Sequence, residues 1–376
     1  MASDRVRSWT RHVTSSKYMW GMIGAILLVS AVFALLNPNF ASTSNIGNVV
    51  EQITILGIIA TGLTFAIVSG EIDLSVGAIY GVCTIVFALA LESAWTPALA
   101  FVATLGAGAL MGLFNGMLGV VLKVPTIIIT LGTLNLFRGI ALWLSGGFPV
   151  SDFPEEGLLF DFGLGNLIQL GPLEWFPDLG LALILVAVVG QLALNQTTFG
   201  NRVKALGSNR EGARDVGIRI SFVRIQTLVL VGVCAGIAGV LSVSRFGSAS
   251  PSAGATLNLD GIAAVIIGGA AIFGGRGSVI SSVLGALLIG VVRNGLVLVG
   301  VDIYGQTMVS GLIIIVAVAV DTAFRGRTWL RGQLAGPRRF GGRPTKRGGH
   351  IKTFGLVDTL QLGEADPKSD VQRKEK

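Results

Sequence analysis

Arg210 and Arg214 stand four residues apart in ALGSNREGARDVGI, and on a helix that spacing puts both guanidinium groups on one turn. Small residues surround them (Ala205, Gly207, Gly212, Ala213, Gly217), together with Leu206 and Asn209. Small side chains beside paired cations suit close approach of one body to another and the passage of a rigid push, not bond chemistry. A second set of polar residues interrupts apolar sequence. Asp73 and Ser75 occupy the short turn GEIDLSVG with Glu71, and Asn115, Asn135, Arg138, Arg245, Asp260, Arg293 and Asn294 fall inside or at the ends of apolar runs. A polar group in hydrocarbon faces a protein interior, a partner or a polar solute, because exposure to lipid is costly. Structural roles compete at each position: a helix cap for Asp73, Ser75 and Asp260, snorkelling or carbonyl bonding for Arg138, Arg245 and Arg293.

Covalent catalysis finds little support. His12 and His350 lie near the two ends, Cys83 and Cys234 are far apart in apolar segments, and no G-x-S-x-G or H-E-x-x-H occurs. There is no G-x-x-x-x-G-K-[ST] either, so this chain has no phosphate-cradling loop of its own. Nucleotide energy, if used, comes from another subunit.

The elements that hold these residues are membrane helices. The chain has 376 residues, 52% hydrophobic and 13% charged, against about 25% charged in a soluble domain. Apolar runs long enough to cross about 30 Å of hydrocarbon lie near 19–36, 53–69, 76–91, 97–122, 126–145, 179–195, 223–244, 259–273, 278–299 and 306–324. The expected fold is an all-α polytopic membrane protein with about ten transmembrane helices. The first run lacks an A-x-A cleavage site and reads as a retained span. Glycine spacings, Gly108, Gly112 and Gly116, or Gly232 and Gly236, read as close helix-packing faces. The eighth run, within LDGIAAVIIGGAAIFGGRGS, is short and bracketed by glycines. It reads as a broken or re-entrant span, tolerated only where protein or a cavity surrounds it.

Charge orients the bundle. Residues 1–18 hold four Lys/Arg and one acid, 325–376 hold thirteen and five, and 19–324 hold eleven and fifteen. The net charge of +7 therefore belongs to the ends, where it suits anionic lipid better than nucleic acid. Threading the runs alternately leaves 37–52, 92–96, 146–178, 246–258 and 300–305 on one side without a single Lys or Arg. Lys123, Arg202, Lys204, Arg210, Arg214, Arg219, Arg224, Arg276 and both basic ends collect on the other, the cytoplasmic side. Both termini are thus expected in the cytoplasm: a basic N-terminus (1–18), a permease-like body (19–324) and a basic tail (325–376). The tail, rich in Gly, Arg and Pro, has no apolar period and is expected to be disordered. The external connection 146–178, with six acids, is either a docking face or a solvated loop. The internal one, 196–222, is long, amphipathic and basic.

Four segments, SGEIDLSVGAI (69–79), VPTIIITLGTLNLFRGIALWLSGG (124–147), FGNRVKALGSNREGARDVGI (199–218) and LDGIAAVIIGGAAIFGGRGS (259–278), resemble the permease subunit of bacterial ABC importers for simple sugars, the ribose, xylose and arabinose type. The resemblance covers most of the chain, though the long basic tail is not something the family requires. It implies that residues 205–218 couple to an ATP-binding subunit, with Ala205, Leu206, Gly207, Asn209, Arg210, Ala213, Arg214 and Gly217 in the contact. It implies a second permease subunit, identical or homologous, an extracytoplasmic sugar-binding protein, and a place in the bacterial inner membrane. ATP and Mg would be bound by the partner and no cofactor by this chain. Asp73, Ser75, Asn115, Asn135, Arg138, Asp260, Arg293 and Asn294 are the polar residues available to the translocation path. An ion-coupled secondary transporter using Asp73 and Asp260, or a permease for nucleosides or branched-chain amino acids, stands as the alternative.

Overall fold

A computed structural model describes residues 2–163, 177–316 and 319, all within one compact unit, 1–327. The expected disorder of the tail and part of the 146–178 connection lie outside the described residues. Among those residues there is no strand, only a single bridge from Val150 to Ala249.

Among the described residues, seven helices are long and apolar enough to cross a membrane: the Met19–Leu36 part of α1 (Ala2–Leu36), α2 (Thr43–Val68), α4 (Pro97–Val121), α5 (Thr126–Leu144), α7 (Asp178–Gln196), α10 (Ile220–Phe246) and α12 (Val279–Leu298). The other three expected spans are shorter apolar helices, α3 (Val76–Glu92), α11 (Leu257–Ile267) and α13 (Ile303–Val316). The described residues also include a 3-10 turn at Pro38–Ala41 and the short helices α6 (Leu158–Gly163), α8 (Thr198–Ser208) and α9 (Arg210–Asp215).

Local signals set the ends. The Ser42 hydroxyl accepts the Asn45 N–H at 3.2 Å to start α2, and Thr96 caps α4 ahead of Pro97. Gly247, with φ at +60°, ends α10 in the left-handed conformation a side chain would oppose.

α2 and α10 form the centre, each mostly buried, while α1, α4, α5 and α7 present apolar side chains outward. Ile128, Leu131 and Trp143 on α5 and Leu185, Val189 and Leu192 on α7 are exposed. Water does not tolerate a girdle of this kind; lipid does. Glycines bring the backbones together as expected. A Cβ on Gly108 would lie 2.3 Å from the Gly232 carbonyl oxygen, and one on Gly112 2.2 Å from that of Leu228, so α4 rides directly on α10.

The two central helices share a layout. Each is followed by a non-helical break, a short helix and a long helix: α2, residues 69–75, α3, α4; and α10, residues 247–256, α11, α12. α4 packs on α10 while α12 packs on α2, and α3 leans on α10 while α11 leans on α2. This exchange of partners between antiparallel units is the pattern of an inverted repeat. The two breaks meet: the Asn258 amide donates to the Leu74 carbonyl at 3.1 Å, and a Cβ on Gly77 would collide with the Gly254 carbonyl at 2.2 Å. α11, with eleven residues, is only about 16 Å long.

Candidate functional site

Glu71 ties four elements together. It lies just past the end of α2, is 3% exposed, and is held by Arg210 of α9, Arg224 of α10 and Thr126 of α5. A carboxylate buried this deeply persists only with its charge answered, and here two guanidinium groups answer it. Arg224 does more than pair. It donates to the Gly119 carbonyl at 2.9 Å, the Val124 carbonyl at 2.7 Å and the Thr126 hydroxyl at 2.8 and 2.9 Å, clamping the turn between α4 and α5. A cavity of about 380 Å³ opens beside this node, walled by Gly70, Glu71, Lys123, Thr126, Arg210 and Arg224.

The segment 198–217 lies against the same end of α2. It forms two helices, and α9 carries Arg210 and Arg214 on one turn. The Asn209 side chain accepts the Gly212 N–H at 3.0 Å and starts α9 afresh. Gly217, at φ +81°, closes α9: its N–H reaches the Arg214 carbonyl at 2.9 Å, and the Ile218 N–H reaches that of Ala213 at 3.0 Å. Burial of Lys204 lowers its ammonium below the ordinary lysine range, and the group donates to Asn195 at 2.7 Å.

Some small residues of this segment pack against the chain itself. Gly207 fits against its own chain, where a Cβ would sit 1.9 Å from the Val68 carbonyl oxygen and 2.5 Å from the Gly275 nitrogen. Leu206 and Ala213 are buried and Ala205 partly so. Arg210, itself half-exposed, reaches Glu71, and Glu211, Arg214, Asp215 and Val216 are also exposed. The close approach that Gly207 permits is therefore internal.

Of the polar residues placed in apolar sequence, three come together at the first break. Ser75 donates to Asp73 Oδ1 through both its N–H and its hydroxyl at 2.7 Å, and the Asn115 amide donates to the Ser75 hydroxyl at 2.8 Å. All three are fully buried. Ser75 is the residue before α3 but caps nothing with its side chain; Asp73 supplies the local turn. Asp73 Oδ2, Asn115 Oδ1 and Asn258 Oδ1 are buried without a hydrogen-bond partner.

The remainder are dispersed. Asp260 accepts from Arg293 at 2.7 Å, and Asn294 exchanges hydrogen bonds with Asn45 at 2.8 and 3.0 Å, joining α12 to α2. Asn135 is exposed on α5, and Arg138 reaches the Ser252 carbonyl at 3.4 Å. Sequence reasoning noted Glu71 without giving it a role and did not select Arg224, Asn45 or Asn258. An acid at the end of a long apolar run, needing a counter-charge, was the available signal for Glu71.

Residues 45–318 match the family described as the permease component of the branched-chain amino acid transport system. The chain is 36% identical over 299 residues to the ribose import permease of Bacillus subtilis strain 168, covering 80% of this chain and 91% of that protein. It is 34% identical to the ribose import permease of Escherichia coli K12, covering 79% and 91%. It is also 34% identical to the autoinducer 2 import system permease of Escherichia coli O157:H7, covering 80% and 86%. No solved structure matches the chain. A family match across most of the chain and identities above 30% over nearly whole relatives lead to one assignment: the chain belongs to this family of importer permease components.

Proposed function

We propose that this chain is the membrane permease of an ATP-driven importer for a neutral monosaccharide, working with a separate ATP-binding subunit, a second permease subunit and an external binding protein. The observation that carries the reading is the 36% identity, over 91% of its length, to a ribose import permease. The described residues supply packing and pairing of the kind that alternating access needs, with no covalent step.

In this reading both termini lie in the cytoplasm of a bacterial cell, ten spans cross or enter the inner membrane, and α11 is the re-entrant one. The Glu71 node then sits at the cytoplasmic face. α8 and α9 form the coupling segment, and exposed Glu211, Arg214, Asp215 and Val216 offer the ATPase its contact. Movement of α9 reaches Glu71 through Arg210, and Glu71 hands it to α10 and α5 through Arg224 and Thr126. Arg138 and Asn135 on the outward face of α5 are placed for the path between two permease copies.

The test is uptake of radiolabelled pentoses and hexoses into proteoliposomes holding this chain, its ATPase and its binding protein. Uptake requiring internal ATP is the expected result. Uptake driven by a sodium or proton gradient without the ATPase would sink the proposal.

A further inference from the structure

At the end of α2 opposite Glu71, a second cavity of about 390 Å³ lies between α2, α3, α10 and α12. Its wall combines Asn48, Glu51, Gln52, Tyr80, Arg245 and Arg293 with an apolar side formed by Leu56, Leu179, Phe246 and Ile289. A few polar groups over an apolar lining, in a volume at the small end of ligand sites, is the ordinary make-up of a pocket for a small organic molecule.

The charges in this wall cancel. Arg245 meets Glu51 at 2.9 Å, and Arg293 meets Asp260, just behind the wall, at 2.7 Å. A solute with a net charge would add an unanswered charge to a wall whose own charges already balance, which disfavours it in a partly buried site. A neutral one would not. Hydrogen-bonding capacity nevertheless remains. Arg245 places both Nε and Nη2 on a single oxygen, Oε2 of Glu51, which leaves Glu51 Oε1 and Arg245 Nη1 for other partners. The Tyr80 hydroxyl donates to Ser242 at 2.7 Å and keeps its lone pairs as acceptors. The exposed amides of Asn48 and Gln52 both donate and accept. Donors and acceptors in alternation suit hydroxyl groups, which do both, and the apolar side suits the C–H face of a sugar ring.

We infer that this cavity, between the Glu51–Arg245 and Asp260–Arg293 pairs, is a binding subsite for a neutral, hydroxyl-rich solute of monosaccharide size. It deepens the importer reading and rests on it, because it places a resting point for the solute inside one permease subunit at the end remote from α8 and α9.

Two experiments test it. Cys83 and Cys234 are both buried, so a Gln52→Cys variant carries one accessible thiol among the described residues. In the purified permease, D-ribose is expected to slow maleimide labelling of that thiol about tenfold once it exceeds the Kd by an order of magnitude. L-valine at the same concentration is expected to leave the rate unchanged. Labelling at one rate with and without ribose overturns the inference, as does equal protection by valine. In the complete importer, Gln52→Trp fills the cavity mouth and is expected to cut uptake per ATP hydrolysed about tenfold, the cost of one good hydrogen bond, with binding-protein-stimulated hydrolysis retained. An unchanged ratio counts against the subsite, and if hydrolysis falls too, the labelling result decides. Should the wild-type importer take up no monosaccharide, the importer reading fails by itself, while protection of the Gln52→Cys thiol still reports on the cavity.

Discussion

Glu71 and Arg224 meet at 3.2 Å across the end of the two central helices, one just beyond the C-terminus of α2 and the other in the first turns of α10. At the far end of the same antiparallel pair, Glu51 of α2 meets Arg245 of α10 at 2.9 Å. The two arginines are twenty-one residues apart on the continuous helix α10, about 31 Å along its axis, which is close to the thickness of the hydrocarbon layer. Two acid–guanidinium pairs thus pin the central helices where hydrocarbon would give way to water, and apart from Gln52 and Gln226 the residues between them are apolar or small.

Removal of Glu71 strands a buried guanidinium. Glu71→Ala is expected to lower stability by about 3–5 kcal/mol, read as a fall in the thermal midpoint of the detergent-solubilised protein. Adding Arg224→Leu to Glu71→Ala should recover part of that loss. A double variant no more stable than the single one would mean that Arg224 is held mainly by the Gly119, Val124 and Thr126 oxygens.

Residues of the 205–217 segment should separate into two classes. Gly207→Ala drives a methyl into the Val68 carbonyl and is expected to cost about 1–3 kcal/mol of stability in the isolated permease. Val216→Ser changes an exposed side chain and should leave stability within about 0.5 kcal/mol. Its expected effect is weaker co-purification of the ATPase subunit. Equal effects of the two variants on both readouts would remove the division.

Glycine positions on α4 offer a contrast within one helix. Gly108→Ala meets the Gly232 carbonyl and should destabilise, whereas a Cβ on Gly106 meets nothing within 4 Å. Gly106→Ala is expected to be neutral or to gain about 0.5–1 kcal/mol from helix propensity. Thermal midpoints of the two variants check the pair directly.

Hydropathy marked all ten apolar segments because burial in lipid demands length and apolarity, and both can be counted along a chain. It located the two breaks but not their meeting. Nothing in LSVGAIY announces that Gly77 will lie on the Gly254 backbone 177 residues away, since the close approach belongs to the meeting of two segments. The small residues near Arg210 were legible as a close-packing surface, yet composition does not say which body is approached. Gly207 meets Val68 and Gly275 of its own chain. The polar residues were legible as exceptions in apolar sequence, but their partners were not: Asp73, Ser75 and Asn115 converge only because α4 returns beside the first break.

That convergence gives a test of the ion-coupled rival. In an ion-coupled carrier Asp73 would have to bind and release a cation or proton in each cycle. In the structure its Oδ1 is committed to the Ser75 N–H and hydroxyl, a fixed turn at the start of α3. Asparagine can keep that oxygen as the acceptor of both Ser75 bonds. Asp73→Asn is therefore expected to fold with a loss of at most about 1 kcal/mol and to retain ATP-dependent uptake. Asp73→Leu leaves two buried donors on Ser75 unanswered and should cost about 2–4 kcal/mol. If Asp73→Asn assembles normally, hydrolyses ATP and yet carries no solute, the carboxylate has a role in each transport cycle and its purely structural assignment is wrong.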